Sequence, residues 1–303
     1  MMPRPARWSL PCLTVAAALA LPLSLTPSPP AAAAGAVPQV TKLLTIVEEN
    51  RSQANALATM PYLRAVASHY GRTTNYRAIT HPSLPNYLAL AGGDTFGVTD
   101  DRGPSYHHIA GASVFDQALA HGRTATTYAD GMPSACYLGY SSAAPRYAVR
   151  HNPWTYFSDP LRRSNCQHHD LPLGTTTAGS LATDVHNGTL PNVGLVIPDT
   201  CHDGHDSGCT ASSDAWLKSW VEKVQSGPDW LSGRLAIVVT FDEDDSSSGN
   251  AVLTAVLSRY LAPTSTSIAL SHYSWTRWAD ELALSPLQGH AANGPSLRTP
   301  FGL

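Results

Sequence analysis

The side chains best placed for chemistry lie in a short segment, His81–Tyr87, that reads His-Pro-Ser-Leu-Pro-Asn-Tyr. Pro82 keeps the chain extended before Ser83, and Pro85 suits the first turn of a helix. We therefore expect Ser83 at or beside the N-cap of a helix, where free N–H groups and the helix dipole favour an anion. A serine in that position can attack phosphorus. The alternative is an ordinary capping serine, which this motif alone does not exclude.

Acidic and polar side chains also follow three apolar segments of the chain. These segments end in Glu48-Glu49-Asn50, in Asp199 followed by His202-Asp203 and His205-Asp206, and in Asp242-Glu243-Asp244-Asp245. Ligand sites in open α/β sheets lie at the carboxyl ends of the strands. Carboxylates and imidazoles that arrive there together indicate a site for a divalent metal ion of unknown identity. A solvated loop explains any one cluster equally well, but three at strand ends favour the metal site.

A framework of alternating strands and helices must position these side chains. Short apolar runs predict buried strands at residues 43–47, 124–128, 193–197, 235–241 and 252–257. Periodicity and capping residues predict helices between Thr59 and Gly71, over 84–90 and 114–120, and after a cap at Ser213-Asp214. The alternation is typical of a three-layer α/β/α sandwich with a mainly parallel sheet. Residues 130–176 lose periodicity, which predicts a long surface excursion tied by a disulfide.

Composition excludes several broad classes of protein. The chain has 303 residues with 19 Lys+Arg and 22 Asp+Glu, so a formal net charge of −3 argues against nucleic acid as the main partner. Hydrophobic residues make up 43% of the chain, enough for a large core, which excludes disorder for most of it. There is no internal repeat at a solenoid period, and one α/β domain is favoured over two small ones.

The first 36 residues have the pattern of a secretory signal peptide followed by an Ala/Pro-rich processing segment. Arg4 and Arg7 precede an apolar run from Val15 to Leu23, and an alanine-rich stretch follows. A transmembrane anchor is disfavoured because prolines interrupt the run too early. The sequence therefore predicts cleavage near residue 34 or 36, a secreted protein without a transmembrane anchor, and a single domain over residues 37–303.

Cysteine usage fits this interpretation. Cys12 leaves with the signal peptide, and four cysteines remain: Cys136, Cys166, Cys201 and Cys209. An even number in an oxidising compartment favours two disulfides. Of the three possible pairings we favour Cys136–Cys166 and Cys201–Cys209, because each closes locally. A zinc site is the alternative, but no Cys-x-x-Cys spacing supports it.

The motifs together resemble a known family, the bacterial phosphoesterase group within the alkaline phosphatase superfamily, which holds secreted acid phosphatases and phospholipases C. The resemblance holds in order and spacing from about residue 43 to residue 285. The matching segments are residues 47–53, 81–90, 150–154, 191–192, 197–198, 205–206, 214–217, 240–245 and 271–273. The resemblance implies an alkaline phosphatase-like fold and a divalent metal ion.

The resemblance also implies roles for individual residues. Ser83 would be the nucleophile, with Asn86 steadying a phosphoryl oxygen. The implied metal ligands are Glu49, Asp242, Glu243 and His272, with Asp206 as a secondary candidate. Asn50 and Arg51 would bind phosphate, while His205 and, secondarily, His81 would act as acid/base groups. The chain departs from the family pattern over residues 201–209, where it has a second histidine, so the choice between His202 and His205 stays open.

The expected function is that of a secreted, metal-dependent phosphatase acting through a phosphoserine. Its substrates would be small phosphate monoesters or a phosphoinositide headgroup such as that of phosphatidylinositol 3-phosphate. Trp154, Tyr156 and Trp275 are candidates for exposed aromatics that meet such a headgroup. One alternative is a phospholipase C-like phosphodiesterase, and another is a catalytically silent binding protein. An acid role for His205 would favour acidic to neutral pH. The sequence leaves the oligomeric state open.

Overall fold

A large twisted sheet forms the centre of the computed structural model, which describes residues 1–4 and 37–303. Its strands lie in the order β5-β4-β6-β1-β7-β8-β2-β9, and β3 pairs with β10 in a separate small sheet. The strands are β1 (Lys42–Glu48), β2 (Gly71–Thr73), β3 (Tyr76–Arg77), β4 (Ala125–Ala129), β5 (Asp170–Pro172), β6 (Val193–Ile197), β7 (Leu235–Phe241), β8 (Ala255–Ser258), β9 (Thr264–Thr266) and β10 (Leu270–Ser271).

The strands β4, β6, β1 and β7 are mutually parallel, so their carboxyl ends meet at one edge of the sheet. Every residue of β6 and β7 is buried, as expected of apolar runs in a sheet covered on both faces. Glu48 lies opposite Phe241, which brings the acidic residues after β1 and β7 side by side. The strand β8 runs antiparallel to β7, so the sheet is mainly parallel, as predicted.

Helices cover the sheet in two groups. In the first group α3, α4 and α9 pack together, and α9 contacts β1 and β6. In the second, α2, α6, α7 and α8 form successive contacts, and α2 reaches β8. The predicted three-layer α/β/α sandwich is confirmed. The helices are α1 (Gln53–Thr59), α2 (Pro61–His69), α3 (Ser83–Gly92), α4 (Val114–Ala120), α5 (Pro160–His169), α6 (Ser180–Asn187), α7 (Thr210–Gln225), α8 (Pro228–Leu231) and α9 (His272–Ala283).

The segment 130–176 is not the surface excursion that its irregular sequence predicts. It contains α5 and β5, and β5 extends the sheet beside β4. Trp154 and Tyr156 are fully buried within it, and so is Trp275 in α9, so none of these aromatics is free to meet a substrate. Periodicity fails here because short 3-10 turns, rather than regular elements, carry the buried side chains.

Both disulfides form in the predicted pairing. Cys136 is joined to Cys166 in α5, and Cys201 is joined to Cys209 immediately before α7. The second disulfide closes a short loop that begins near the end of β6 and carries Asp203 and His205. Local closure of the chain was therefore the correct guide to the pairing.

Two predicted helix caps are wrong. The N-cap of α2 is Met60 rather than Thr59, because a short helix α1, capped by Ser52, occupies the preceding residues. The helix α7 begins at Thr210, so Asp214 lies inside it. Its carboxylate instead accepts hydrogen bonds from the N–H groups of Tyr62 and Leu63 at the start of α2. The carboxylate thus caps a neighbouring helix through tertiary contact.

Residues 37–303 form one compact unit. The described residues 1–4 are irregular and exposed, while most of the predicted signal peptide lies outside the described residues. Among the described helices, none has the length and apolarity needed to cross a bilayer.

Candidate active site

Ser83 is the first residue of α3 and follows the N-cap Pro82, as the two prolines predict. Its side chain is 3% exposed, and its hydroxyl donates a hydrogen bond of 3.2 Å to Oε2 of Glu49. The N–H group of Leu84 donates to Oδ1 of Asp101 at 2.9 Å. Since Pro85 has no N–H, the first turn of α3 offers fewer free donors to an anion than the sequence suggested.

The next turn of α3 supplies two further side chains to the same place. The amide oxygen of Asn86 accepts hydrogen bonds from the N–H groups of Ile79 and Thr80, and its Nδ2 lies 3.2 Å from Oε2 of Glu243. The hydroxyl of Tyr87 donates to Oε1 of Glu49 at 2.7 Å. Asn86 therefore holds the turn before Ser83 as well as reaching an acidic partner, and Tyr87 fixes one oxygen of Glu49.

The ends of β1 and β7 bring Glu49 and Asp242 together through Asn50. Asn50 has a positive φ of 53°, a conformation that asparagine tolerates better than most residues. This conformation lets its N–H donate to Oδ1 of Asp242 at 3.1 Å, while its Nδ2 donates to Oε2 of Glu49 at 3.0 Å. Asn50 thus links the two carboxylates that the sequence placed at neighbouring strand ends.

Glu243 and His81 form the more open side of the site. The ring nitrogen Nδ1 of His81 lies 3.2 Å from Oε2 of Glu243, and Nε2 lies 3.2 Å from Oδ1 of Asp244. The His81 side chain is 40% exposed, whereas the side chains of both acidic partners are buried. The structure therefore brings His81 to the site as a solvent-facing imidazole.

Two further buried residues complete the cluster: His151, to which the sequence gave no role, and Asp203, which the sequence placed only within a group of possible metal ligands. His151 lies with Nε2 3.2 Å from Oε1 of Glu49 and Nδ1 3.1 Å from Oδ2 of Asp203. Its ring stacks on Tyr87 with centroids 5.3 Å apart. His151 lies in a segment that matched the family pattern, and Asp203 lies in an acidic cluster, so both signals were present in the sequence. We call Glu49, Ser83, His151, Asp203, Asp242 and Glu243 the Ser83 cluster.

The Ser83 cluster contains more carboxyl groups than the nearby cationic side chains can keep in the charged form. Burial, together with the neighbouring carboxylates, raises the pKa of Glu49 and Glu243 well above the usual range of a carboxyl, and burial also raises the pKa of Asp242. Burial lowers the pKa of His151, which keeps its ring neutral. Oδ2 of Asp242 and Oδ2 of Asp203 make no hydrogen bond within the described residues. Buried carboxylates with spare lone pairs fit a divalent cation.

The two candidate histidines both lie in the loop closed by Cys201–Cys209, but their rings contact different residues. The ring of His205 lies 5.8 Å from that of His151, and its Nε2 is 3.0 Å from a guanidinium nitrogen of Arg150. The ring of His202 instead meets Asp130 and Asp199. His205 is therefore the histidine of the pair that borders the Ser83 cluster.

Three predicted site residues point elsewhere. Asp206 pairs with Arg146 and accepts a hydrogen bond from Thr200 rather than joining the carboxylates. Arg51 donates to the carbonyl of Gly204 and to Thr210. The third, His272, contacts the backbone carbonyl of Asp242 rather than a carboxylate of the cluster.

His272 is fully buried at the start of α9. One ring nitrogen lies 2.6 Å from the backbone carbonyl of Asp242, and the other lies 3.1 Å from the hydroxyl of Tyr76. Burial lowers its pKa to about 4, so the ring is neutral. Since both ring nitrogens are engaged, His272 supports the backbone of Asp242 instead of offering a free metal ligand.

Comparison with known proteins shows which family the chain belongs to. Residues 56–249, more than half of the chain, match the sequence profile of the phosphoesterase family. The chain belongs to the phosphoesterase family. This phosphoesterase is 31% identical to the phosphatidylinositol-3-phosphatase of Mycobacterium tuberculosis over 273 residues, which cover 89% of this chain and 86% of that protein. It is 30% identical to an acid phosphatase of Aspergillus niger over 218 residues, covering 67% of this chain and 48% of the fungal protein.

The fold of this phosphoesterase also matches a solved structure. A Vibrio parahaemolyticus protein of the alkaline phosphatase superfamily superimposes with a TM-score of 0.57 at 13% identity, covering 87% of this chain and 72% of that chain. The likeness confirms the predicted alkaline phosphatase-like fold. The family and its named relatives, a phosphatidylinositol-3-phosphatase and acid phosphatases, show that this protein is a hydrolase of phosphoric ester bonds.

Proposed function

We propose that this chain is a secreted phosphomonoesterase that uses Ser83 as its nucleophile and a divalent metal ion as its cofactor. The observation that carries the proposal is the contact between the buried Ser83 hydroxyl and Glu49, inside a group of carboxylates that have few neutralising partners. An ordinary capping serine has no need of such surroundings. A silent binding protein would not be expected to keep this constellation intact.

The metal would be held by Glu49, Asp242 and Glu243. These carboxylates suit the role because their pKa values are raised by burial, and a cation would restore their charged forms. His151 and Asp203 supply further donors beside Glu49. When bound, a divalent cation would neutralise phosphoryl oxygens and favour the ionised form of a serine hydroxyl.

The residues of the chain would carry the remaining steps. Ser83 gives its hydroxyl proton to Glu49 and its Oγ attacks phosphorus in line, while the bond to the leaving oxygen breaks and His205 gives that oxygen a proton. Water then attacks the phosphoserine and gives one proton to His205, and the Oγ–phosphorus bond breaks as Oγ takes its proton back from Glu49. Tyr87 and Asn50 keep Glu49 in place throughout, through the hydrogen bonds that they donate to its two oxygens. Arg150 is the cation placed at His205, where it would attract a phosphate.

The substrate class and the location rest on relatives and on the N-terminal sequence. The similarity to a phosphatidylinositol-3-phosphatase supports a phosphate monoester, including a phosphoinositide headgroup, as the substrate. The signal-like residues 1–36 and the two disulfides support export, followed by cleavage that leaves residues 37–303 as a single phosphoesterase domain.

The deciding experiment measures hydrolysis of p-nitrophenyl phosphate by the wild-type protein and by Ser83→Ala, with and without a chelator. We expect Ser83→Ala to lower kcat by at least about 1,000-fold, because it removes the hydroxyl that would attack phosphorus. Chelation should abolish the wild-type activity, and added metal should restore it.

The matched control is Ser68→Ala, which removes an exposed helix hydroxyl that bonds only to a backbone carbonyl. Its activity should equal that of the wild type. If Ser83→Ala keeps its activity within 10-fold, Ser83 is not the nucleophile. A preference for bis(p-nitrophenyl) phosphate over the monoester would support the phosphodiesterase alternative instead.

A further inference from the structure

A second cluster of acidic and imidazole side chains lies at the same edge of the sheet, away from Ser83. Asp130 follows β4, Asp199 follows β6, and His202 comes from the disulfide-closed loop. We call Asp130, Asp199 and His202 the His202 cluster. It lines a cavity of about 690 Å³ whose other walls include Trp216, Trp220 and Thr175.

The donor atoms of the His202 cluster converge on one point. Nδ1 of His202 lies 2.8 Å from Oδ2 of Asp130 and 3.3 Å from Oδ1 of Asp199. One donor atom from each of the three residues lies within 4.8 Å of the other two. An imidazole nitrogen and two carboxylate oxygens form a donor set that suits a divalent transition metal ion such as Zn²⁺.

The surroundings leave this donor set open to a cation. Asp130 is 7% exposed and Asp199 is 5% exposed, and within residues 37–303 neither carboxylate forms an ion pair with a lysine or arginine. Asp199 accepts hydrogen bonds from the backbone N–H groups of Arg146, Cys201 and His202. Within the same residues, the imidazole of His202 is the one side chain that can bring a positive charge to the two carboxylates. Its ring stacks on Trp216 with centroids 5.5 Å apart, which fixes the direction of its nitrogens. The cavity provides room for water to complete the coordination of an ion.

We propose that the His202 cluster is a second cation site, which binds a divalent transition metal ion through His202, Asp130 and Asp199. The site does not depend on the proposed role of Ser83. The same loop carries Asp203 and His205, and the backbone carbonyl of Asp203 accepts a hydrogen bond from the N–H of Glu49 at 2.9 Å. A cation in the cavity would therefore fix the loop that borders the Ser83 cluster.

The test is the stoichiometry of Zn²⁺ binding to the chelator-treated full chain, measured by equilibrium dialysis and elemental analysis. Asp130→Asn removes the negative charge of one ligand, and His202→Phe removes the imidazole donor but keeps a ring that can stack on Trp216. We expect each variant to lose one equivalent of Zn²⁺, or to bind that equivalent at least about 10-fold more weakly. Asp242→Asn, which changes the Ser83 cluster, should retain it.

The control is Asp100→Asn, which alters a carboxylate that pairs with a single histidine, His107, and joins no third donor residue. Its Zn²⁺ binding should match that of the wild type. Far-UV circular dichroism verifies folding, and if Asp130→Asn does not fold, His202→Phe decides. If a folded His202→Phe variant binds as much Zn²⁺ as the wild type, the proposed site is wrong. The three residues would then form only a hydrogen-bonded group. Loss of activity in Ser83→Ala would stand unaffected by that result.

Discussion

The Ser83 cluster and the His202 cluster occupy the same edge of the sheet and contain similar residue types, but their surroundings differ. In the Ser83 cluster, several carboxylates are buried together with a serine hydroxyl, and some of their oxygens have no partner in the described structure. In the His202 cluster, two carboxylates share one imidazole beside an open cavity. Topology explains why both clusters lie at this edge, whereas burial and local partners decide what each can do.

Asp170, a buried acid outside both clusters, shows that a raised pKa does not by itself mark a functional site. Burial raises the pKa of Asp170 to about 7, yet this side chain accepts hydrogen bonds from Thr127 and Asn152 and holds β5 against β4. What distinguishes Glu49 is the contact with a potential nucleophile and with other acids. Geometry therefore separates the Ser83 cluster from structural acids.

The largest expected difference between the two clusters is in activity. Glu49→Gln should lower kcat/KM for p-nitrophenyl phosphate by about 1,000-fold, because it removes the charge that contacts Ser83 and that would hold the metal. Asp130→Asn should lower it by less than about 10-fold, because Asp130 acts on the reaction only through the loop. Equal losses in the two variants would show that the clusters form one catalytic unit.

An intermediate effect is expected from the two arginines that flank the disulfide-closed loop. Arg150→Ala should lower activity by roughly 10- to 100-fold, since its guanidinium contacts His205 and its charge lowers the raised pKa of Glu49. Arg51→Ala should change kcat less than Arg150→Ala, because Arg51 bonds to Gly204 and Thr210. Arg150→Lys should restore part of the loss. The reverse order of effects would return Arg51 to the phosphate-binding role that the sequence suggested.

The smallest expected effect is on the pH dependence of thermal stability, with no change in activity. The pKa of Asp170 is raised from 3.8 to about 7 in the folded protein, so the stabilisation it provides is complete below pH 3.8 and is lost as the pH rises through 7. The Asp170→Asn variant has no titrating group at this position. Between pH 5 and pH 8 its melting temperature should therefore fall less than that of the wild type, and the two decreases should differ by about 2 °C or more.

Thermal unfolding followed by circular dichroism measures this difference. The activity of Asp170→Asn at pH 7 should equal that of the wild type, because Asp170 contacts no residue of either cluster. An unchanged pH dependence of melting would mean that Asp170 is not protonated in the folded protein. A loss of activity would extend the functional region towards β5.

The five central strands of the sheet could be predicted from the sequence because they are short apolar runs whose burial is a local property. The predicted strands at 193–197 and 235–241 match β6 and β7 residue for residue. The position of Ser83 was equally local, since Pro82 and Pro85 restrict the backbone on either side. These parts of the fold and of the site follow from nearest neighbours along the chain.

The partners of Glu49 could not be predicted in the same way. His151 and Asp203 lie close to Glu49 although they are distant from it in the chain. His151 belongs to a segment whose sequence shows no regular period. The family resemblance implied that His272 is a metal ligand, but a tertiary contact with Tyr76 engages its ring. Long-range packing, which no local pattern encodes, therefore selects which imidazole meets the carboxylates.

The helix α3 places constraints on how this protein can change. Ser83, Asn86 and Tyr87 lie at spacings of three and four residues, so one face of the helix presents all three to the strand ends. Insertion of one residue between Ser83 and Asn86 would rotate the two halves of this face by about 100° relative to each other. Ser83 would then be separated from the side chains that hold Glu49 and the preceding turn. Natural variants should therefore tolerate substitutions along this helix more readily than changes in its length.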